Sequence, residues 1–331
     1  MGHNQSKTTP LVSVILPVYN ADAYVADAVQ SILDQTFTDF EFIIIDDGST
    51  DNSLSILKEL AHRDSRIRLL TRENHGLIRT LNEAIDLVRG EWIARMDADD
   101  ISMPERFQKQ LSLLKQSGAD ICGCSMQCFG QWTDVWRYPA THEGCEVQML
   151  FDPPVAHPTV MGRSLLFKTL YYSLDFPHAE DYDLWQRAIR AGFLFSNVSE
   201  TLLRYRISGT QASRMNNSIQ IANAKRVQAR QMLEVFPDID QRKLYEVREA
   251  VSSGKGLLDS HQPELRLLLE RYHAEGRDIL LRKIYIAFCN CAGSLDCPGK
   301  QWKSLMQSTN VKGQFFRGLH ISILGLFRHK K

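Results

Sequence analysis

Four short apolar runs alternate with helix-like segments over the first hundred residues. Leu11 to Leu16 is the first run, and Pro17 is expected to end it. In residues 22 to 35, Tyr24, Val25, Ala28, Val29, Ile32 and Leu33 recur on one helical face. Phe40 to Ile45, Ile67 to Thr71 and Trp92 to Met96 read as the next strands. Ser53 to His62 and Leu77 to Val88 read as the helices between them, the second ending near Gly90. Strands apolar on both faces that alternate with helices imply a mainly parallel sheet covered on both sides. The expected class is α/β and Rossmann-like.

Sheets of this kind bind ligands beyond the carboxyl ends of their strands. The notable polar groups collect there: Pro17-Val18-Tyr19-Asn20, Asp46-Asp47-Gly48, Asn74-His75-Gly76 and Asp97-Ala98-Asp99-Asp100. A nicotinamide-dependent dehydrogenase would want Gly-x-Gly-x-x-Gly after the first strand, where this chain has Pro17-Val18-Tyr19-Asn20. A module that binds its ligand without turnover is the stronger alternative to an enzyme.

After residue 100 the pattern changes. Pro104 to Gln116 is expected to be helical, as is Tyr182 to Ala191. From about Asn216 the chain reads almost wholly helical. The expected organisation is a disordered stretch over 1–10, an α/β domain over 11–214 and a helical region over 215–331.

Lys and Arg together number 39, as do Asp and Glu, so there is no basic excess to hold nucleic acid. The opening MGHNQSKTTP has no apolar core segment and does not read as a secretory signal. No apolar run approaches the roughly 20 residues of a membrane-spanning helix. Seven cysteines is an odd number, which suits a reduced, intracellular chain. Cys122, Cys124 and Cys128 read as buried thiols, the first two on one strand face.

Asp97-Ala98-Asp99 follows an apolar strand, and in an extended segment both carboxylates would face one side. Such oxygens suit magnesium or manganese, which could bridge the phosphates of a nucleotide diphosphate. The same triplet could instead cap a helix. Asp46-Asp47-Gly48-Ser49 either meets a base and ribose or forms a solvated turn. Glu180-Asp181 either supplies a general base or answers the dipole of the helix it opens.

Together these motifs resemble family 2 glycosyltransferases. The likeness runs through Val12 to Asn20, Ile45 to Asp51, Asn74-His75-Gly76 with Asn82, and Ala94 to Asp100. It continues through Ser102-Met103-Pro104-Glu105-Arg106 with Gln110, His157-Pro158-Thr159 and Glu180 to Trp185. The Arg-Met-Asp-Ala-Asp-Asp variant is similar to the subset that builds bacterial surface polysaccharides.

The resemblance implies a GT-A fold over residues 11 to about 210 and an inverting single displacement. It implies a nucleotide site of Pro17, Tyr19, Asn20, Asp46, Asp47, Gly76, Arg79, Asp97 and Ala98. Asp97 and Asp99 would hold Mn2+ or Mg2+, Asp181 would be the base, and His157, Glu180 and Trp185 would meet the acceptor. For Arg79 a solvated helix face is the other reading, and for Trp185 the core. The implied partners are a nucleotide-sugar donor, most often a UDP-sugar, and a saccharide acceptor. Serine at 208 departs from the histidine that relatives often carry there, so Arg204 or Arg206 is expected to hold the diphosphate.

Phe315, Phe316, Leu319, Ile323, Leu326 and Phe327 recur at helical spacing beside Arg317, Arg328, Lys330 and Lys331. Such a basic amphipathic helix either lies on an anionic membrane, suiting a lipid-linked acceptor, or packs on the helical region. The expected location is cytoplasmic, peripheral on the inner face of the cell membrane.

Overall fold

The structure is a computed structural model and describes residues 9–208, 217–253 and 262–291. The whole of the tail noted above lies outside the described residues, as do residues 1–8, 209–216 and 254–261. The chain divides into two compact units, residues 1–235 and 236–331.

In the first unit β1 (Val12–Val18), β2 (Phe40–Asp46), β3 (Ile67–Thr71) and β4 (Trp92–Arg95) lie parallel in the order β3-β2-β1-β4. Helices α1 (Val25–Leu33), α2 (Ser53–Arg63) and α3 (Leu77–Leu87) connect them. The period of two sorts the strand residues. Val14, Leu16, Phe42 and Ile44 join Val29 of α1 and Leu57 of α2 in one core. Ile15, Ile43 and Ile45 join Leu81 and Ile85 of α3 in another. Both faces are covered, and each fully buried Leu or Ile contributes about 1.5–3 kcal/mol.

Pro17 does not end β1, as expected from sequence; it lies within the strand opposite Ile45. The ladder is carried past it by Val18, whose carbonyl accepts from Asp47 N at 2.8 Å. Pairing of β1 with β4 ends at Ile15, so at Pro17 the strand is bordered by β2 alone, an edge-like position that tolerates proline.

The sheet then turns mixed. After β5 (Ile101–Ser102) and α4 (Arg106–Ser117) come β6 (Ile121–Gly130) and β7 (Asp134–Trp136), an antiparallel pair. Helix α5 (His142–Met149), a 3-10 turn (His157–Thr159), β8 (Met161–Arg163) and α6 (Ser164–Leu170) follow. Helix α7 (Glu180–Arg190) and the long β9 (Phe195–Ile207) complete the sheet, ordered β4-β8-β6-β9-β5 on this side. Cys122, Cys124 and Cys128 are buried on β6, as expected of thiols on this strand.

Helix α8 (Asn217–Val235) belongs to the first unit and packs on α7. The division between the units falls after Val235, whereas the sequence reading places a boundary near residue 215. The sequence does mark the break at Val235: Pro237 stands two residues beyond it and cannot continue a helix. In the second unit α9 (Gln241–Ser253), α10 (Gln262–Arg271) and α11 (Ala274–Cys291) pack through Leu244, Val247, Leu265, Leu269 and Leu280. Among the described residues no helix is long and apolar enough to cross a membrane.

Candidate active site

β1 has β2 on one side and β4 on the other, so a crevice opens at the carboxyl ends of these strands. Three loops line it. Asn20, at φ +48°, accepts from Thr50 N at 2.8 Å and donates its own N–H to Ser49 Oγ at 3.0 Å. Tyr19 is 52% exposed and open to a ligand. Gly48 has φ +74°, and a Cβ there would stand 2.7 Å from Asn74 N, so only glycine lets the two loops meet.

The adjacent acids differ. Asp47 accepts from His75 N at 2.8 Å and Gly76 N at 3.0 Å and pairs with Arg72. Asp46 is buried; its Oδ2 accepts from Thr71 Oγ1 at 3.0 Å, while its Oδ1 has no partner. Burying an unpaired carboxylate oxygen is costly, which marks this atom as one that a ligand could satisfy. Arg79 is exposed on α3.

The Asp-x-Asp triplet lies in a turn beyond β4, not in an extended continuation of the strand. Arg95 ends the strand and is buried, and it donates to Asp97 Oδ2 at 2.7 Å. Burial and then the Asp97 charge push Asp99 up to about 6. Asp100 is fully buried and raised well above the usual range by burial, then by Asp97 and Asp99. It accepts from Arg206 N at 2.8 Å, and its Oδ2 has no partner. Arg206 Nε donates to Asp99 O at 2.8 Å, so Arg206 braces the turn from β9. Arg204, expected with it as a diphosphate holder, is exposed and lies over the Phe129 ring at 4.5 Å.

Three crowded carboxylates with an orphan oxygen fit a hard divalent cation. Among the described residues no three His, Cys, Asp or Glu side chains form a ready metal cage. Magnesium and manganese sites often use one or two carboxylates and take the rest of their shell from substrate phosphates. Asp97, though held by Arg95, keeps lone pairs for such an ion.

Asp97, Arg95, His157 and Asp181 line one cavity of about 670 Å³. Glu180 and Asp181 open α7, where the helix dipole favours acids. Asp181 accepts from Tyr182 N at 2.7 Å, and burial raises its carboxyl. Glu180 is pushed up to about 7 by burial and then by Asp181. His157 is held neutral by burial and by nearby Arg95, and its Nε2 shares a 2.9 Å hydrogen bond with Tyr172 Oη. A cavity flanked by carboxylates, a cation and neutral polar groups can bind a hydroxyl and take its proton.

Motif residues without an assigned role turn out to hold this site together. Asn82 Nδ2 donates to Tyr172 O and its Oδ1 accepts from Tyr172 N, both at 2.9 Å. Gln110 donates to Thr159 O at 2.7 Å, and Arg106 donates to Arg95 O at 2.6 Å. Trp185 does not reach the cavity. It is fully buried, edge-on to His157, Phe167 and Phe195, so it supports His157 from behind. Sequence reasoning missed Arg95, Trp136, Tyr138 and Tyr205 as cavity residues. Strand alternation placing Arg95 and Asp97 on one side was the available signal for the first.

A parallel half-sheet with this acidic crevice and a mixed second half is the GT-A architecture of nucleotide-sugar transferases. The Glycosyl transferase family 2 model matches residues 13–179. A glycosyltransferase of Haemophilus influenzae is 35% identical over 234 residues, covering 66% of this chain and 72% of the relative. The Escherichia coli O-antigen biosynthesis glycosyltransferase WbnJ is 35% identical over 206 residues, covering 60% and 80%. The structure of Staphylococcus aureus TarS 1–349 with UDP-GlcNAc has the same fold at TM-score 0.56 and 17% identity, covering 90% of this chain and 91% of that one. The chain belongs to glycosyltransferase family 2.

Proposed function

We propose that the chain transfers a hexose-type sugar from a nucleotide diphosphate donor, a UDP-sugar, to a saccharide hydroxyl, inverting the anomeric centre. The proposed acceptor is lipid-linked, in bacterial O-antigen or capsule synthesis. The observation that carries this reading is that Asp97, His157 and Asp181, from three separate segments, line one cavity. WbnJ, an O-antigen biosynthesis enzyme, is among the relatives. A mannosyltransferase of Pyrobaculum calidifontis with the same fold, at TM-score 0.50 and 14% identity over 94% of this chain and 83% of that one, was solved with GDP-Man and Mn2+.

In this reading Pro17, Tyr19, Asn20, Asp46, Asp47, Gly76, Arg79 and Ala98 bind the nucleotide. Asp97 and Asp99 hold Mn2+ or Mg2+, which when bound neutralises the charge of the departing diphosphate. Asp181 takes the proton from the acceptor oxygen as that oxygen attacks the anomeric carbon. Arg95 holds Asp97 in place, and Glu180 and His157 orient the acceptor. Inversion needs one base and no carboxylate nucleophile.

The tail over residues 313 to 331 is proposed to rest on the inner membrane surface. Its removal should cut binding to anionic vesicles and spare transfer to a soluble acceptor. The central test is a thermal-shift screen of nucleotide sugars with manganese, followed by the product's stereochemistry. Absence of any nucleotide-sugar shift, or a retained anomeric configuration, would overturn the reading.

A further inference from the structure

Trp132, Trp136 and Tyr205 form a continuous aromatic strip. Ring centroids lie 5.9 Å apart between Trp132 and Trp136, and 5.7 Å apart between Trp136 and Tyr205. The planes are tilted by 45° and 35°. Two separate elements build the strip. Trp132 sits in the β6–β7 turn and Trp136 on β7 opposite Met126, while Tyr205 comes from β9 opposite Cys128. Among the described residues β7 pairs only with β6, so this hairpin stands at the sheet's margin.

The strip has a direction. Trp132 is 39% exposed and marks the outer end. Trp136 and Tyr205 line the cavity that holds Asp97 and Asp181. Tyr205 marks the inner end, where burial and then the charges of Asp97, Asp100 and Asp99 raise its hydroxyl. A core role does not account for the outer ring: Trp92 and Trp185 are 7% and 0% exposed, and Trp132 is not covered in that way. Polar side chains flank the strip in the same cavity, among them Arg137, Gln148 and Asp152.

A pyranose ring has an apolar face of C–H bonds and a polar rim of hydroxyls. Aromatic faces cover the first while nearby amide, carboxylate and guanidinium groups meet the second. An acyl or isoprenoid chain would have no use for the polar groups. We propose that the strip is an extended acceptor subsite that holds a saccharide of two or more units. The sugar that receives the transfer lies at Tyr205, and the preceding units run outward over Trp136 and Trp132. The strip therefore makes acceptor length a determinant of specificity. This rests on the transferase reading, since the inner end matters only if Asp181 is the base.

The test is binding of the full chain, with UDP and manganese, to an array of defined bacterial oligosaccharides of one to four units. Wild type should favour glycans of two or more units. Trp132→Ala should weaken those about tenfold and leave monosaccharide binding unchanged, the size expected for one lost stacking contact. Trp136→Ala should weaken all of them, and Trp136→Phe should recover most of the loss. Trp132 lies at an exposed turn, so its replacement does not threaten the fold, and a nucleotide-sugar thermal shift verifies each variant. Equal binding by wild type and Trp132→Ala, or equal losses at every length, overturns the proposal. So does a wild type that binds no glycan but binds vesicles containing an isoprenoid phosphate through Trp132. A wild type that binds nucleotide sugar but no glycan defeats this inference alone, whereas one that binds no nucleotide sugar defeats the transferase reading.

Discussion

Arg230 of α8 donates to Asp183 Oδ1 at 2.6 Å, and Asp183 sits fully buried two residues after the proposed base. Arg187 holds the other oxygen at 2.8 Å. The same helix reaches the segment leading into α7: Asn223 donates to Pro177 O at 2.9 Å and Arg226 to Asp175 O at 3.0 Å. A helix outside the family-matched segment thus fixes where α7 begins. Arg230→Ala should cost about 2–3 kcal/mol in denaturant unfolding, at or below the usual cost for a broken buried pair because Arg230 is 30% exposed. It should lower kcat more than donor affinity, and Arg230→Lys should recover part of both. Unchanged kcat with full loss of stability would make the contact purely structural.

Asp181→Asn keeps the side-chain shape and removes the base. Turnover should fall roughly 100- to 10,000-fold while nucleotide-sugar binding with metal persists. Loss of donor binding would recast Asp181 as a binding residue. Near-normal turnover would move the base, with Glu180 the next residue to test.

The base must be ionised to work, and burial raises both Glu180, to about 7, and Asp181. Their charges are coupled, so the pair titrates together. kcat/KM should therefore rise with pH through the region of 7 and fall on the acid side. Glu180→Gln removes the like charge beside Asp181, which should move the acid limb to lower pH. Arg95 and Asp97 also face the pair and stay in place in that variant. An acid limb that moves upward, or does not move, would count against Asp181 as the titrating base.

Asp99→Ala should abolish transfer and leave the circular dichroism spectrum unchanged. Excess chelator should have the same effect on the native chain, reversed by manganese. Full activity in chelator would remove the metal from the mechanism.

Much of the α/β unit was legible because its signals are local. β3 runs over Ile67–Thr71, the bounds at which the sequence reads as a third strand. The strand-end acids were legible because a sheet sends its loops to one edge. Trp185 was harder: both a core and an acceptor role fit its pattern, and only the packing of His157, Phe167 and Phe195 around it decides between them. The Asp47 contacts with Arg72, His75 and Gly76 were not legible, because they join segments about 25 to 29 residues apart through loop conformation.

By itself the sequence determined the alternation of β1 to β4 with α1 to α3, the family, and the order of its acidic motifs. Periodicity and turn chemistry act between near neighbours, so they can be read along the chain. The tertiary structure alone decided that α8 closes the first unit and that Trp136 meets Tyr205 across β7 and β9. These contacts depend on strand order and register between distant segments, which no local pattern encodes.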